Sequence, residues 1–107
     1  MTTFRQFQDS ASRVPVSLRN SRQRIEYLET GFHEEAGKIS RLLSRASNSG
    51  SFQLTPEQVA ELKQRLGELL HFIAVACSEA KVSMQDVAAG SLTQLEERLE
   101  GLDPEQR

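Results

Sequence analysis

Two short segments of this 107-residue chain carry charged residues at a spacing that can build a site. In EEAGK, Glu35 and Lys38 stand three positions apart, and in QRLGELLHFIAVAC, Arg65 and Glu68 do the same. Residues three apart on a helix share a face, so each segment can direct two charged groups at one place. The apolar run after Arg65 is the most hydrophobic part of the chain, and we expect it to form the core.

Other kinds of site find less support in the sequence. His33 and His71 have no cysteine or histidine at the spacing of zinc ligands, and Cys77 lies in an apolar run that indicates packing. Neither a glycine-rich phosphate loop nor a G-x-S-x-G segment is present. The charged pairs therefore remain as the candidate site.

Composition predicts a globular chain in the cytoplasm. Hydrophobic residues make up 37% and charged residues 26% of a length that suits one domain, 1–107. A flexible connector is expected at about 48–54 and a frayed end at 103–107. The single cysteine, the absence of a signal-peptide pattern at the start, and the lack of any apolar stretch of about 18 residues indicate a cytoplasmic protein without membrane contact.

The net charge of −2 is unevenly spread, because residues 1–24 hold five arginines against one aspartate. Two interpretations stay open. The arginines can pair with acidic neighbours on an exposed helix, or Arg19, Arg22 and Arg24 can serve an adaptor that contacts nucleic acid or a protein. The acidity of the whole chain argues against non-specific nucleic-acid binding, so nucleic acid is not an expected partner.

Capping residues and apolar periodicity predict an all-α fold. Thr3, Thr55 and Ser83 suit helix N-caps, and Gly101 suits a helix end. Apolar residues recur every three or four positions between these signals. The expected helices cover about 4–13, 21–46, 56–81 and 84–100, with the second and third as two long antiparallel helices. Dimerisation is expected to complete the core, because a chain this short buries a modest share of its surface.

The order of four segments, GFHEEAGK, RLGELLHFIA, VSMQDVA and SLTQLEER, resembles the MazG-like family of all-α nucleoside triphosphate pyrophosphohydrolases. The likeness extends over nearly the whole chain and implies that family's helical bundle. It also implies magnesium chemistry, in which four carboxylates, two from each long helix, hold Mg²⁺ ions. These bind the triphosphate and activate water, releasing a nucleoside monophosphate and pyrophosphate.

The chain departs from the family pattern at that site. Glu35 matches the first carboxylate, with Glu34 before it, but the next motif position is Lys38. On the following helix Arg65 stands where the family has Glu, and Glu68 stands where it has Asp. The remaining family-type metal carboxylates are thus Glu35 and Glu68. On the C-terminal helix only Arg98 matches, because the Asn and Lys positions read Ser91 and Gln94.

Two carboxylates and two cations sum to zero, so this site is neutral without metal. Two unit positive charges repel each other by about 4 kcal/mol at 4 Å and an effective dielectric constant of about 20, and the double charge of Mg²⁺ makes the repulsion of a neighbouring cation larger still. We therefore expect Glu35, Lys38, Arg65 and Glu68 to form an ion-pair cluster, with no metal and no catalytic residue. Lys38, Arg65 and Arg98 are candidates for binding phosphate. Four solvated side chains without mutual contact are the alternative.

The resemblance and its departures predict a MazG-like homologue that is catalytically impaired and acts as a nucleotide- or anion-binding or assembly module. A homodimer or higher homo-oligomer is expected, and no cofactor. One alternative is an active Mg²⁺-dependent pyrophosphohydrolase with an altered ligand set such as Glu34, Glu35 and Glu68. The other alternative is the arginine-rich adaptor.

Overall fold

Residues 1–13 and 18–102 are described by the computed structural model, and these parts of the chain are helical without a strand. The all-α prediction is thus confirmed. Within the described residues, none of the helices is long and apolar enough to cross a membrane. Pro15 predicts a helix break at Val14, because proline disfavours helix at the residue before it. This break and the predicted frayed end at 103–107 lie outside the described residues. The helices are α1 Phe4–Ala11, α2 Ser21–Asn48, α3 Pro56–Glu79 and α4 Met84–Glu100.

Local capping sets where the helices begin. The Thr55 hydroxyl accepts from the Gln58 backbone N–H at 3.1 Å, and the Gln58 side chain accepts from the Thr55 N–H at 2.9 Å. This capping box satisfies two N–H groups that have no partner inside the helix. Similar bonds place Thr3 and Ser83 at the caps of α1 and α4, as predicted, and Asn20 caps α2.

The helix ends differ from the prediction by about one turn or less. α1 stops at Ala11 and α3 at Glu79, earlier than expected, whereas α2 continues to Asn48. After α3, Lys81 adopts φ = 60°, and the Val82 N–H donates to the Cys77 carbonyl at 2.9 Å. This is the hydrogen bond of a Schellman turn, which reverses the chain before α4.

Two ion pairs show that α2 and α3 run antiparallel. Arg24 near the start of α2 pairs with Glu79 at the end of α3, and Arg45 near the end of α2 pairs with Glu61 near the start of α3 at 2.9 Å. The prediction of two long antiparallel helices is therefore confirmed. They form a hairpin whose connector, residues 49–55, overlaps the predicted one.

The main cluster of buried residues lies at one end of this hairpin. Ala74 and Val75 of α3 are buried there together with Leu28 of α2, and α1 and the start of α4 pack against the same cluster. Phe72 fills the space beside Gly31 and contacts neighbouring aromatic rings of α2, with ring centroids 5.1 and 6.1 Å away. This close contact explains the glycine in the middle of a long helix.

The molecule is more extended than a compact domain. Its Cα radius of gyration is 17.0 Å, whereas about 13 Å is typical of a chain of this length. Contacts of α4 with α1 and α3 hold its start, but in the described chain α4 makes no contact with α2. All of residues 91–102 are exposed, including Leu92, Leu95 and Leu99.

The Gly31–Phe72 contact yields a stability prediction. A Cβ at position 31 would overlap the Phe72 ring, so Gly31→Ala should lower the free energy of unfolding by about 1–3 kcal/mol. Gly90→Ala is the matched control, because a Cβ there meets nothing within 4 Å in a helix of the same chain. It should raise stability by up to about 1 kcal/mol. Urea unfolding measures both, and equal stability of the two variants would contradict the packing described.

Candidate functional site

A carboxylate lies in the buried stripe of α2. Glu35 is 6% exposed, and the stripe is otherwise formed by small and apolar residues. A buried carboxylate is costly unless charges and hydrogen bonds compensate it. The surroundings of Glu35 therefore decide whether it is a structural feature or part of a site. The buried residues of this stripe are Leu28, Gly31, Glu35, Leu42 and Ala46.

Two cations approach the same oxygen of Glu35. Lys38 Nζ, one turn further along α2, lies 3.5 Å from Oε1, and Arg65 Nη1 of α3 lies 3.6 Å from it. Both distances exceed the roughly 2.7–2.9 Å of a charge-assisted hydrogen bond. The second oxygen, Oε2, is buried and has no hydrogen-bond partner among the described residues. The carboxylate is thus incompletely satisfied by the protein.

Glu68 does not join this cluster. It follows Arg65 by three residues on α3, about 60° round the helix, and this turns it away from Glu35 and toward a cavity lined by α1 and by Tyr27 near the start of α2. In the described chain it makes no ion pair with Arg65 or Lys38. The prediction of a neutral four-residue cluster is therefore wrong for Glu68. The remaining three residues, Glu35, Lys38 and Arg65, carry a net charge of +1.

The other predicted residues lie apart from the cluster. Glu34 is exposed on the outer surface of α2, where it lines a concavity with Lys38 and Arg41. Arg98 lies near the end of α4, and α4 has no contact with α2 in the described residues. Within one chain, Arg98 is therefore not positioned to share a ligand with Lys38 and Arg65.

The donor set does not suit Mg²⁺. This ion favours several oxygen ligands in an octahedral arrangement, and Glu35 offers one unpartnered oxygen between two cations. Glu34 and Glu68, which the enzyme alternative would use, point to different surfaces. Within residues 1–13 and 18–102, no three His, Cys, Asp or Glu side chains come together. We therefore derive no magnesium-dependent step from this arrangement.

The arginine-rich segment is partly engaged in ion pairs. Arg22 pairs with Glu26 at 3.0 Å on the exposed face of α2, and Arg24 pairs with Glu79. The interpretation that these arginines pair with acidic neighbours thus holds for both residues. These two ion pairs leave fewer arginines available for a nucleic-acid surface than the number of arginines in the sequence indicates.

A second polar arrangement was not predicted from the sequence. The Tyr27 hydroxyl and His71 Nε2 are hydrogen-bonded at 2.8 Å, and both line a cavity of about 490 Å³ with Phe7 and Glu68. The spacing of residues in the sequence gives His71 no partner. Its pairing with Tyr27 depends on the register of α2 against α3, which no local sequence signal sets.

Comparison of the chain with known protein families, characterised proteins and solved structures gave no match.

The incomplete satisfaction of Glu35 predicts opposite effects of two substitutions on stability. Glu35→Met removes a buried charge and leaves cations that still reach solvent, so stability should stay equal or rise by about 1 kcal/mol. Arg65→Met leaves Glu35 with Lys38 alone and should cost about 1–3 kcal/mol. Urea unfolding in ligand-free buffer compares them. A large loss in Glu35→Met would show that the carboxylate stabilises the fold.

The absorbance of Tyr27 is a direct probe of the Tyr27–His71 arrangement, because the chain has one tyrosine and no tryptophan. Burial raises the pKa of its phenol above the ordinary value of 10.0, and repulsion from Glu68 adds to the rise. A raised pKa means that the folded state favours the neutral phenol. The stability this contributes is complete below the unfolded-state pKa and is lost as pH rises through the folded-state value.

Absorbance titration at alkaline pH should therefore give Tyr27 a pKa above 10.0. Glu68→Gln should lower this pKa, because it removes the repulsion but keeps the burial. Glu57→Gln removes the same charge at the distant start of α3 and should leave the pKa unchanged. The same pKa in the Glu68→Gln and Glu57→Gln variants would contradict the proximity of Glu68 to Tyr27.

Proposed function

We propose that the chain is a MazG-like nucleotide pyrophosphohydrolase homologue that is catalytically impaired and binds a nucleotide, or another phosphate-bearing anion, without metal. The observation that carries this proposal is the state of Glu35, a buried carboxylate with two cations on one oxygen and no partner on the other. A bound ligand would supply the hydrogen-bond partner that the protein alone does not give to Glu35.

Charge supports an anionic ligand. Glu35, Lys38 and Arg65 sum to +1, and both cations remain accessible, with side chains 42% and 23% exposed. Neither cation is committed to a short hydrogen bond with Glu35. Each therefore retains N–H donors that can turn to phosphate oxygens, and the guanidinium of Arg65 can bind two of them at once.

The unpartnered Oε2 adds a chemical requirement on the ligand. An ionised carboxylate accepts hydrogen bonds and donates none. Because Oε2 is itself buried, a ligand reaches it only if the Glu35 side chain turns toward the ligand. The ligand must then present a hydroxyl, an N–H or a protonated phosphate oxygen next to its anionic group. Nucleotides and hydrogen phosphate satisfy this requirement, whereas sulfate at neutral pH has the charge but no proton. This predicts discrimination between phosphate and sulfate.

Impaired catalysis follows from the carboxylates that the site lacks. In the family chemistry implied by the resemblance, carboxylates from both helices hold the metal that activates water. Here α3 brings Arg65 to Glu35 in place of a carboxylate, and Glu68 faces another cavity. The alternative of an active enzyme has less support for this reason. The adaptor alternative has less support because Arg22 and Arg24 are paired.

Calorimetric titration in the presence of EDTA tests the binding proposal. Inorganic phosphate and a panel of nucleoside triphosphates are the probes, with sulfate at matched ionic strength as the control anion. We expect phosphate-bearing ligands to bind and sulfate to bind at least about tenfold more weakly, which corresponds to about 1.4 kcal/mol. Equal binding of phosphate and sulfate would exclude the role assigned to Oε2.

Substitutions localise the binding to this site. Lys38→Gln should weaken phosphate and nucleotide binding by about tenfold or more, because a hydrogen bond to a charged group contributes about 1.5–3 kcal/mol. Arg45→Gln is the matched control on the same helix, where the cation pairs with Glu61 instead. Loss of affinity in both variants alike would indicate non-specific attraction. Pyrophosphate release on adding Mg²⁺ would overturn impaired catalysis and support the enzyme alternative.

A further inference from the structure

The side chain of Gln8 on α1 makes three hydrogen bonds to the junction between α3 and α4. Its amide nitrogen donates to the Ser78 hydroxyl at 3.1 Å and to the Val82 carbonyl at 2.9 Å. Its amide oxygen accepts from the Met84 backbone N–H at 2.9 Å. Both N–H donors and the oxygen are thus in use, and this one side chain joins α1 to the end of α3, to the turn after it and to the start of α4.

Ser12 closes a ring of hydrogen bonds on the same residue. The Ser12 hydroxyl donates to the Gln8 backbone carbonyl at 2.7 Å and lies 2.6 Å from the Ser78 hydroxyl. Because the Ser12 proton is directed at the carbonyl, the Ser78 hydroxyl is the donor of the second bond. The Gln8 amide therefore donates to Ser78, Ser78 to Ser12, and Ser12 back to Gln8, and hydrogen bonds linked in this way strengthen one another.

Little apolar packing holds α1 in addition to these bonds. Among the described residues of α1, Ala11 alone is buried, and Phe7 is half-buried against the same cluster. A helix of eight residues is unstable by itself in water, so α1 depends on its contacts with α3 and α4. Elements with few buried apolar contacts open locally at a lower free energy than the rest of a protein.

α1 also forms one wall of the cavity lined by Tyr27 and His71, which we call the Tyr27–His71 cavity. Phe7, Ser10 and Ala11 line the side that α1 supplies. In the described chain α1 makes no contact with α2, so the cavity of about 490 Å³ lies between these two helices. Movement of α1 would therefore open the cavity and leave the hairpin of α2 and α3 packed.

We propose that α1 is a cover for the Tyr27–His71 cavity that opens as a local unit, and that Gln8 is the latch that holds it closed. Met84 couples this opening to α4. Its backbone N–H belongs to the first turn of α4, where no carbonyl of the same helix is available, and Gln8 supplies the acceptor. Met84 is buried, so loss of the latch leaves this N–H without a partner and loosens the start of α4.

The cover is separate from the anion site. Glu35 and Lys38 belong to α2, which α1 does not contact in the described residues. The described lining of the Tyr27–His71 cavity does not include Arg65 of α3. Loss of the latch should therefore leave phosphate binding unchanged, and failure of one proposal is distinguishable from failure of the other.

Hydrogen–deuterium exchange of the full chain measures the opening segment by segment. Gln8→Met keeps the length of the side chain and removes all three of its hydrogen bonds. Amides of α1 and of the first turn of α4 should then exchange at least about tenfold faster, which corresponds to about 1.4 kcal/mol, while amides in the middle of α2 keep their protection. Equal acceleration throughout the chain would overturn local opening, and unchanged exchange in α1 would overturn the latch.

Two further variants control this comparison. Gln94→Met makes the same chemical change at an exposed position of α4 and should leave the exchange of α1 unchanged. Ser78→Ala breaks the ring but keeps the bonds of Gln8 to Val82 and Met84, so it should accelerate α1 less than Gln8→Met does. It also covers the case in which Gln8→Met disturbs folding. No acceleration of α1 in Ser78→Ala would contradict the role given to the ring.

The single cysteine gives a second measure of opening. Cys77 is buried in the cluster that Ala11 of α1 and Met84 of α4 complete, so a thiol reagent reaches it when these residues move away. Labelling should be at least about tenfold faster in Gln8→Met than in the wild type. Its dependence on urea should be weak, because a local opening exposes little surface. A dependence as steep as that of global unfolding would contradict local opening.

Acetylation of the Tyr27 hydroxyl tests whether α1 covers the cavity. N-acetylimidazole modifies phenols, and mass spectrometry of the peptide with the single tyrosine measures the rate. The rate should be higher in Gln8→Met than in the wild type and unchanged in Gln94→Met. Faster exchange of α1 with an unchanged acetylation rate would show that α1 opens without uncovering Tyr27, and this would overturn the proposed cover.

Discussion

The burial of one carboxylate between α2 and α3 is the constraint on which the site depends. Glu35 lies in the buried stripe of α2, between Gly31 and Leu42. Lys38 and Arg65 compensate its charge from one side, at distances too long for strong hydrogen bonds. A carboxylate held in this state is poorly justified by stability alone, because a partly satisfied buried network is weaker than an apolar core. The proposed ligand binding would supply a reason for its presence.

The fold was largely predictable because its signals are local. Thr3, Thr55 and Ser83 begin helices through hydrogen bonds within four residues of sequence, and the apolar periodicity of α2 and α3 is long and regular. The site was predictable only in part. Glu35, Lys38 and Arg65 meet as expected, but the orientation of Glu68 depends on how α3 is rotated between α2 and α1. That rotation is set by packing, including the fit of Phe72 against Gly31.

The same dependence on tertiary packing explains what the sequence did not reveal. Tyr27 and His71 are 44 residues apart and meet only through the register of the hairpin. The resemblance makes Arg98 a candidate for the phosphate site, yet the Schellman turn after α3 directs α4 away from α2. Residues 91–102 are exposed as a result, among them Leu92, Leu95 and Leu99.

The most direct test of the central claim is the nuclear magnetic resonance of the Glu35 side-chain carboxyl carbon and the Arg65 Nε–H group. Inorganic phosphate added in EDTA should move both resonances, and Mg²⁺ added alone should move neither. This result would establish an anion site that works without metal. Movement of the Glu35 resonance with Mg²⁺, and none with phosphate, would contradict the proposed anion site and indicate a metal site instead.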